Sequence, residues 1–169
     1  PLLPLVSDGS PSRRRTPTPR VRVEVRAKLN LGLAVGPARP DGFHELATLF
    51  ARVGLCDRLR AEKTKKPGIH LKLSDCSNLG TLKPADNIVY KAADKFFRAF
   101  SIEPAVKITL VKRIPVGAGL GGGSSDAAAA LLALSRLYGR DSVSCRAKLR
   151  RLALELGSDV PFFLLGVPF

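Results

Sequence analysis

The chain has 169 residues, of which 45% are hydrophobic, a composition that supports one buried core of ordinary domain size. Its apolar runs are too short for a membrane-spanning helix, which needs roughly 18–20 residues, and its scattered cysteines and histidines form no disulfide or zinc-ligand pattern. The formal charge of +14 indicates an anionic partner, either a nucleic acid or a small polyanion such as a nucleotide.

Residues 1–20 are rich in proline, serine and arginine, and we predict that they form a disordered basic tail. Such a segment cannot bury enough apolar surface to offset the entropy lost on ordering. Its arginine-rich, acid-poor composition also fits the end of an organelle transit peptide, and the chain contains no methionine, so we expect the natural start to lie upstream. Residues 21–169 are then expected to form one domain.

The first part of that domain reads as strands. Apolar and polar residues alternate over 21–25, which is the period of a half-buried strand, and a second apolar run over 29–35 either pairs with this strand or continues it. Further strands are predicted near 47–53 and 69–73, separated by a lysine-rich turn.

The second part mixes helices with one strand. Asp86 is predicted to be the N-cap of a helix over 87–100, and alternating apolar residues predict a strand over 106–110. After a glycine-rich loop, a serine at 124 or 125 opens an alanine-rich helix that runs to about Tyr138, and an amphipathic helix follows over 144–156. This order predicts an α+β fold, not the regular alternation of a parallel α/β sheet.

The glycine-rich loop over 115–125 is the strongest functional signal. Five glycines lie between 117 and 123, where the absence of Cβ atoms lets the backbone approach a ligand closely. The loop leads into a helix whose free N–H groups and dipole favour an anion, and two serines add hydroxyl donors there. A strand, a glycine loop and a helix together predict a phosphate site.

Three other interpretations of this loop are less consistent with the sequence. A Walker A loop is excluded because Gly123 stands where its lysine must be. A dinucleotide fingerprint fits the spacing of Gly117, Gly119 and Gly122, but residues 113–116 separate the strand from the first glycine, and the flanking topology is not βαβ. A tightly packed turn that binds nothing would rarely retain so many entropically costly glycines.

The loop, Pro-Val-Gly-Ala-Gly-Leu-Gly-Gly-Gly-Ser-Ser-Asp-Ala-Ala from Pro115, resembles the phosphate loop of the GHMP kinases. Three further strings narrow the resemblance to one branch, the 4-diphosphocytidyl-2-C-methyl-D-erythritol kinase family. They are Ala-Lys-Leu-Asn-Leu over 27–31, Arg-Pro-Asp-Gly-Phe-His-Glu-Leu over 39–46 and Gly-Ser-Asp-Val-Pro-Phe over 157–162. The resemblance covers about residues 22–167.

The resemblance implies an α+β fold of the ribosomal-protein-S5-domain-2-like type. Residues 21–169 would be its N-terminal ATP-binding domain, with the family's C-terminal domain absent or truncated. It also implies transfer of the γ-phosphate of ATP, with Mg²⁺, to the 2-hydroxyl of the cytidine diphosphate methylerythritol substrate, in the non-mevalonate route to isoprenoids. The implied location is the cytoplasm of a bacterium or the plastid stroma of a eukaryote.

The resemblance also implies roles for individual residues. Asp159 would take the hydroxyl proton, and Lys28 would pair with it and offset phosphate charge. The substrate would contact Asn30, Asp41, Phe43 and His44, with Phe43 stacking on cytosine where the family usually has tyrosine. ATP would contact Asn87, Pro115, Gly117, Gly119, Leu120, Gly121, Gly122, Gly123, Ser124 and Ser125. The sequence leaves the metal ligands unassigned.

Two alternatives remain open at this stage. Another GHMP kinase would act on a mevalonate derivative, homoserine or a sugar. A basic RNA-binding module would use the positive charge directly, although the basic residues lack the interleaved aromatics of a single-strand binder. Asp126 is a further open point, because its carboxylate either faces the phosphates or favours the helix N-terminus.

Overall fold

The computed structural model describes residues 19–38, 40, 42, 44–74 and 84–165. In this part of the chain, the helices pack on one face of a four-stranded sheet. The strands are β1 (Arg20–Ala38), β2 (His44–Lys63), β3 (Gly68–Ser74) and β4 (Ala105–Val111). The helices are α1 (Ile88–Phe100), α2 (Gly122–Leu137), α3 (Val143–Leu156) and α4 (Val160–Leu164), with a 3₁₀ turn over Pro84–Asp86.

The sheet is mixed, with strand order β1-β2-β4-β3. The β1–β2 and β2–β4 pairs are antiparallel, whereas β3 and β4 are parallel and α1 forms the crossover between them. The predicted α+β class is therefore confirmed. The apolar runs over 21–25 and 29–35 belong to one continuous strand, β1. The pairing of β1 with β2 shifts register at irregular positions but continues along the whole strand.

The core lies between the inner face of the sheet and the helices. Alternate residues of β1, β2 and β4 are buried because successive strand side chains point to opposite faces. Helix α1 supplies the opposing stripe that the sequence predicted. The buried residues are Val23, Val25, Leu59, Ala61, Val106, Ile108 and Leu110 from the sheet, and Val89, Ala92, Ala93, Phe96 and Phe97 from α1.

Helix α2 is buried on every side. It packs against β1 and β2 on one side and against α1, α3 and α4 on the other, and every residue over 125–135 is buried. Its alanines allow the neighbouring elements to approach closely, as expected of a central helix. This packing fixes the N-terminus of α2, and therefore the glycine loop, beside the end of β4.

The structure corrects several predicted boundaries. The N-cap of α1 is Asn87 and not Asp86, because Asn87 Oδ1 accepts a hydrogen bond from Val89 N at 2.8 Å while Asp86 ends the 3₁₀ turn. Helix α2 begins at Gly122, before either serine. Strand β2 begins three residues before the predicted 47–53 and ends ten residues beyond it, and the short helix α4 was not predicted.

The predicted tail lies outside the described residues except for Pro19 and Arg20, and Arg20 already begins β1. Within the described part of the chain, no helix has the length and apolarity needed to cross a membrane.

Candidate active site

The glycine loop forms the wall of an open cavity of about 360 Å³ between α1 and the N-terminus of α2. Gly117, Gly119 and Gly121 have φ angles of 76°, 72° and 69°, which place three residues of the loop in the left-handed region that favours glycine. The first N–H groups of α2 have no partner within the helix and lie beside the same cavity. This arrangement suits a phosphate group.

Nearly all of the residues predicted to contact ATP line this cavity. Ser125 is the exception: it is fully buried, and its Oγ donates to the Gly122 carbonyl at 2.9 Å, so this hydroxyl is already used within the helix. The structure brings together at the cavity Asn87, Pro115, Gly117, Gly119, Leu120, Gly121, Gly122, Gly123 and Ser124.

Two of the glycines are also required by close packing. A Cβ atom at Gly121 would lie 2.9 Å from Lys28 Cγ and 3.0 Å from Phe163 Cζ. A Cβ atom at Gly122 would lie 2.9 Å from Ile114 Cγ2. The end of the loop therefore packs directly against the side chain of Lys28.

Lys28 and Asp159 meet at this end of the loop. Lys28 N donates to the Leu120 carbonyl at 2.9 Å, which ties β1 to the loop, and Lys28 Nζ lies 3.3 Å from Asp159 Oδ2. The Lys28 side chain is 8% exposed, whereas that of Asp159 is 32% exposed and so remains accessible to a substrate. A carboxylate and an ammonium group thus stand together beside a phosphate cradle.

The predicted substrate residue Asn30 belongs to the same cluster. Asn30 Oδ1 accepts from Lys28 Nζ at 2.5 Å, and Asn30 Nδ2 donates to Thr48 Oγ1 at 3.0 Å. The ring of Phe50 lies below the ammonium group, with Lys28 Nζ 4.8 Å from the ring centroid. Lys28 is therefore held by a carboxylate, an amide oxygen and an aromatic face.

Of the other predicted substrate residues, the structure describes His44, which lies away from this cluster. His44 begins β2 opposite Ala38, and its Nδ1 donates to the Gly36 carbonyl at 2.9 Å. Arg52, which pairs with Lys28, lies eight positions farther along β2 than His44, so the two sites are at most roughly 26 Å apart along the strand. Asp41 and Phe43 lie outside the described residues.

Arg52 anchors the helix that follows Asp159. Its Nη2 donates to the Phe162 carbonyl at 3.1 Å and also to the Leu165 carbonyl, and its guanidinium lies 5.2 Å from the centroid of the Phe162 ring. The Phe162 ring also lies 4.8 Å from that of Phe50. These contacts fix α4 against β2 and thereby hold Asp159 near Lys28.

A buried cluster of three charged residues at the base of the cavity was missed by sequence reasoning. Lys112 Nζ donates to Asp57 Oδ2 at 2.5 Å and to Asp126 Oδ2 at 2.8 Å. Asp57 Oδ1 accepts from the N–H groups of Arg113 and Ile114, at 2.5 and 2.9 Å. The cluster, which we call the buried triad, joins β2, the entrance of the glycine loop and α2.

Burial shapes the charge states of the triad. It raises the pKa of Asp126 to about 7, against the opposing effect of the Lys112 ammonium group. Burial alone would lower the pKa of Lys112. The carboxylates of Asp126 and Asp57 have the opposite and larger effect, so the pKa of Lys112 lies above its usual value. Lys112 is therefore charged at neutral pH, whereas Asp126 titrates there. The sequence signal that could have indicated the triad was Lys112, which lies between the end of β4 and the glycine loop.

The described residues include no group of three or more histidine, cysteine or acidic side chains that could hold a metal ion by themselves. Magnesium at nucleotide sites is commonly held by one or two carboxylates together with phosphate oxygens. The donor set of this cavity is thus compatible with a magnesium ion that arrives with a nucleotide.

Comparison with known proteins shows which proteins this chain resembles. Residues 87–167 match the family described as the GHMP kinases N-terminal domain, a stretch that begins at Asn87 and includes the glycine loop and Asp159. Two curated relatives named 4-diphosphocytidyl-2-C-methyl-D-erythritol kinase, from Solibacter usitatus and Thermus thermophilus, are each 49% identical over 137 residues. Each alignment covers 81% of this chain, but 41% and 45% of the respective relative. The chain thus spans less than half the length of these relatives.

Solved structures show a similar match. A crystal structure of 4-(cytidine 5'-diphospho)-2C-methyl-D-erythritol kinase matches with a TM-score of 0.70 and 46% identity, over 86% of this chain and 49% of that one. A homoserine kinase from Cytophaga hutchinsonii matches with a TM-score of 0.62 and 17% identity, over 90% of this chain and 44% of that one, which shows a shared fold alone. Residues 87–167 thus match the GHMP kinases N-terminal domain, and the chain is similar over most of its length to 4-diphosphocytidyl-2-C-methyl-D-erythritol kinases.

Proposed function

We propose that residues 21–169 form an ATP-binding domain that transfers the γ-phosphate of ATP to the 2-hydroxyl of 4-diphosphocytidyl-2-C-methyl-D-erythritol. One observation carries this proposal: Lys28 and Asp159, 3.3 Å apart, stand at the end of the glycine loop, to which the Lys28 backbone is hydrogen-bonded. The substrate is inferred from the similarity to curated 4-diphosphocytidyl-2-C-methyl-D-erythritol kinases. Because those relatives are bacterial, the proposal places the reaction in a bacterial cytoplasm.

Phosphoryl transfer depends mainly on positioning and electrostatic stabilisation. In our proposal, the glycine loop and the N-terminus of α2 hold the phosphates through backbone N–H groups. The partly exposed Asp159 carboxylate accepts the proton of the attacking hydroxyl, and Lys28 offsets the charge that develops on the transferred group. Magnesium that arrives with the nucleotide would supply further neutralisation of the phosphate charge.

The hairpin of β1 and β2 offers a route for the rest of the substrate. Asn30 lies beside the reacting end, next to Lys28, and His44 lies farther along the hairpin. An elongated acceptor that carries a hydroxyl at one end and a cytosine at the other could lie along this hairpin. We propose that Asn30 contacts the part near the hydroxyl, and that Asp41, Phe43 and His44 contact the cytidine part.

The test measures ADP release by the 169-residue chain with ATP, magnesium and one acceptor at a time. The acceptors are 4-diphosphocytidyl-2-C-methyl-D-erythritol, mevalonate, homoserine and galactose. We expect release with the first alone, and its KM should rise in His44→Ala. Release with another acceptor instead would contradict the proposed substrate but not the kinase assignment. If no acceptor supports release, the proposed reaction is wrong for this chain, and an increase in melting temperature with ATP then shows whether the nucleotide site remains.

A further inference from the structure

The buried triad is asymmetric in its hydrogen bonding. Asp57 is fully buried, and its two oxygens accept three hydrogen bonds, so its negative charge is well compensated. Asp126 is 3% exposed, and its Oδ2 accepts from Lys112, but its Oδ1 is buried without a hydrogen-bond partner among the described residues. A buried charged oxygen without a partner is costly, and such groups require an explanation.

The position of the triad makes this asymmetry relevant to ligand binding. Two carboxylates share one ammonium group, so the fully ionised triad carries one net negative charge. Lys112 and Asp126 both line the glycine-loop cavity, whose backbone is arranged for an anion. A nucleotide would bring several negative charges to this cavity. Protonation of one carboxylate would make the triad neutral and remove the repulsion.

We propose that Asp126 Oδ1 takes up one proton from solvent when a nucleotide occupies the glycine-loop cavity, and that Asp126 thereby couples nucleotide affinity to pH. This inference rests on the proposed nucleotide site. Of the two buried carboxylates, Asp126 receives the proton because it has the fewer donors and the free oxygen. The neutral acid keeps its contact with Lys112 through Oδ2.

The charged groups around Asp126 come from several elements. Lys112, from the end of β4, and Asp57, from β2, act on it directly. The 3₁₀ turn before α1 contributes Asp86 to the same cavity. Lys28 of β1 packs on Gly121 and pairs with Asp159 before α4, on the other side of the loop.

The free protein already holds Asp126 near its titration point, since burial raises its pKa to about 7. An added anion shifts this pKa further upward. Proton uptake on binding should therefore be small at pH 5.5, where Asp126 is already protonated, and large near pH 8. Above pH 7, uptake of about 0.5–1 proton weakens nucleotide binding about three- to tenfold for each pH unit.

The experiment is isothermal titration calorimetry of the 169-residue chain with adenylyl imidodiphosphate and magnesium, at pH 5.5 and pH 8. Each titration is repeated in buffers of different ionisation enthalpy, and the slope of the observed enthalpy gives the number of protons taken up. Asp126→Asn is the matched variant, because an amide has the shape of the protonated acid and cannot titrate. The difference between the two proteins cancels the proton balance of the nucleotide itself.

We expect uptake at pH 8 in the natural chain, little at pH 5.5, and no excess uptake in Asp126→Asn at either pH. A buffer-independent binding enthalpy at pH 8, or equal uptake in both proteins, would overturn the inference while leaving the nucleotide site intact. Absence of binding in a folded protein would instead overturn the proposed function. If the asparagine variant does not fold, Asp126→Ser, which likewise cannot titrate, takes its place in the same comparison.

Discussion

Replacing Gly121 with alanine should destabilise the fold more than the same replacement at Gly119 or Gly117. All three glycines have similar positive φ angles, of 69°, 72° and 76°, so each alanine should incur a backbone strain of about 1–2 kcal/mol. At Gly117 and Gly119, a new Cβ atom would have no neighbour within 4 Å. These two variants therefore measure the backbone strain alone.

Gly121 differs because its new Cβ atom would collide with packed side chains. It would lie 2.9 and 3.1 Å from Lys28 Cγ and Cε and 3.0 Å from the buried Phe163 ring. Overpacking of this kind costs a further 1–3 kcal/mol or so, giving a total of about 2–5 kcal/mol. The loss of unfolded-chain entropy is the same in all three variants and cancels from the comparison.

The assay is equilibrium urea unfolding, with thermal unfolding as a second measure. Relative to Gly119→Ala, the melting temperature of Gly121→Ala should fall by about 2–4 °C for each additional kcal/mol. The new Cβ atom should also displace the Lys28 side chain and so weaken the contact between Lys28 and Asp159. Equal destabilisation by all three variants would refute the reasoning, because it would mean that the loop does not pack against Lys28 in solution.

Three further predictions concern stability. Asn87→Ala should reduce the unfolding free energy by about 0.5–2 kcal/mol through loss of the α1 cap, whereas Asp86→Ala should leave it nearly unchanged, as urea titrations can show. Lys112→Met should lower the free energy of unfolding by about 3–5 kcal/mol at pH 8, because it leaves Asp57 and Asp126 buried without their shared cation. The loss should be smaller at pH 5, where Asp126 is protonated. Between pH 4 and 7, Asp126 holds a proton in the folded chain that it has lost in the unfolded chain. The unfolding free energy of the natural chain should therefore fall relative to that of Asp126→Asn as the pH rises, and parallel pH profiles of the two unfolding free energies would contradict this.

The local features of the fold were largely predictable. The alternation over 106–110 and the apolar stripe of α1 depend on neighbouring residues, and both elements were located within one or two residues. The predicted N-cap of α1 was Asp86, whereas the observed N-cap is the next residue, Asn87. Either side chain can cap a helix, and the 3₁₀ turn that ends at Asp86 decides between them. Such a choice depends on the backbone of the preceding turn.

The start of α2 shows a different limit. Glycine usually disfavours a helix interior, so the sequence predicted a start at a serine. The helix nevertheless begins at Gly122, where a side chain would collide with Ile114, a residue on the strand side of the loop. Tertiary packing, not backbone freedom, thus requires this glycine.

The site was predictable only in part. The run of glycines indicated a phosphate cradle directly, since its residues are contiguous. The proximity of Lys28 and Asp159 followed from family resemblance alone, because no spacing rule joins residues at the two ends of the domain. The buried triad escaped prediction for the same reason: Asp57 reads as an ordinary acidic residue in a strand until the β2–β4 pairing places it beside Lys112.

The most direct test of the proposed kinase compares single-turnover phosphoryl transfer with ATP binding in Asp159→Asn and in Asp141→Asn. Asp141 is exposed and follows the far end of α2, roughly 24 Å of helix from the glycine loop, so its replacement makes the same change in charge away from the site. We predict that Asp159→Asn binds ATP like the natural chain but transfers phosphate about 10²–10⁴-fold more slowly, whereas Asp141→Asn behaves like the natural chain in both respects. Equal transfer rates in the two variants would contradict the assignment of Asp159 as the base.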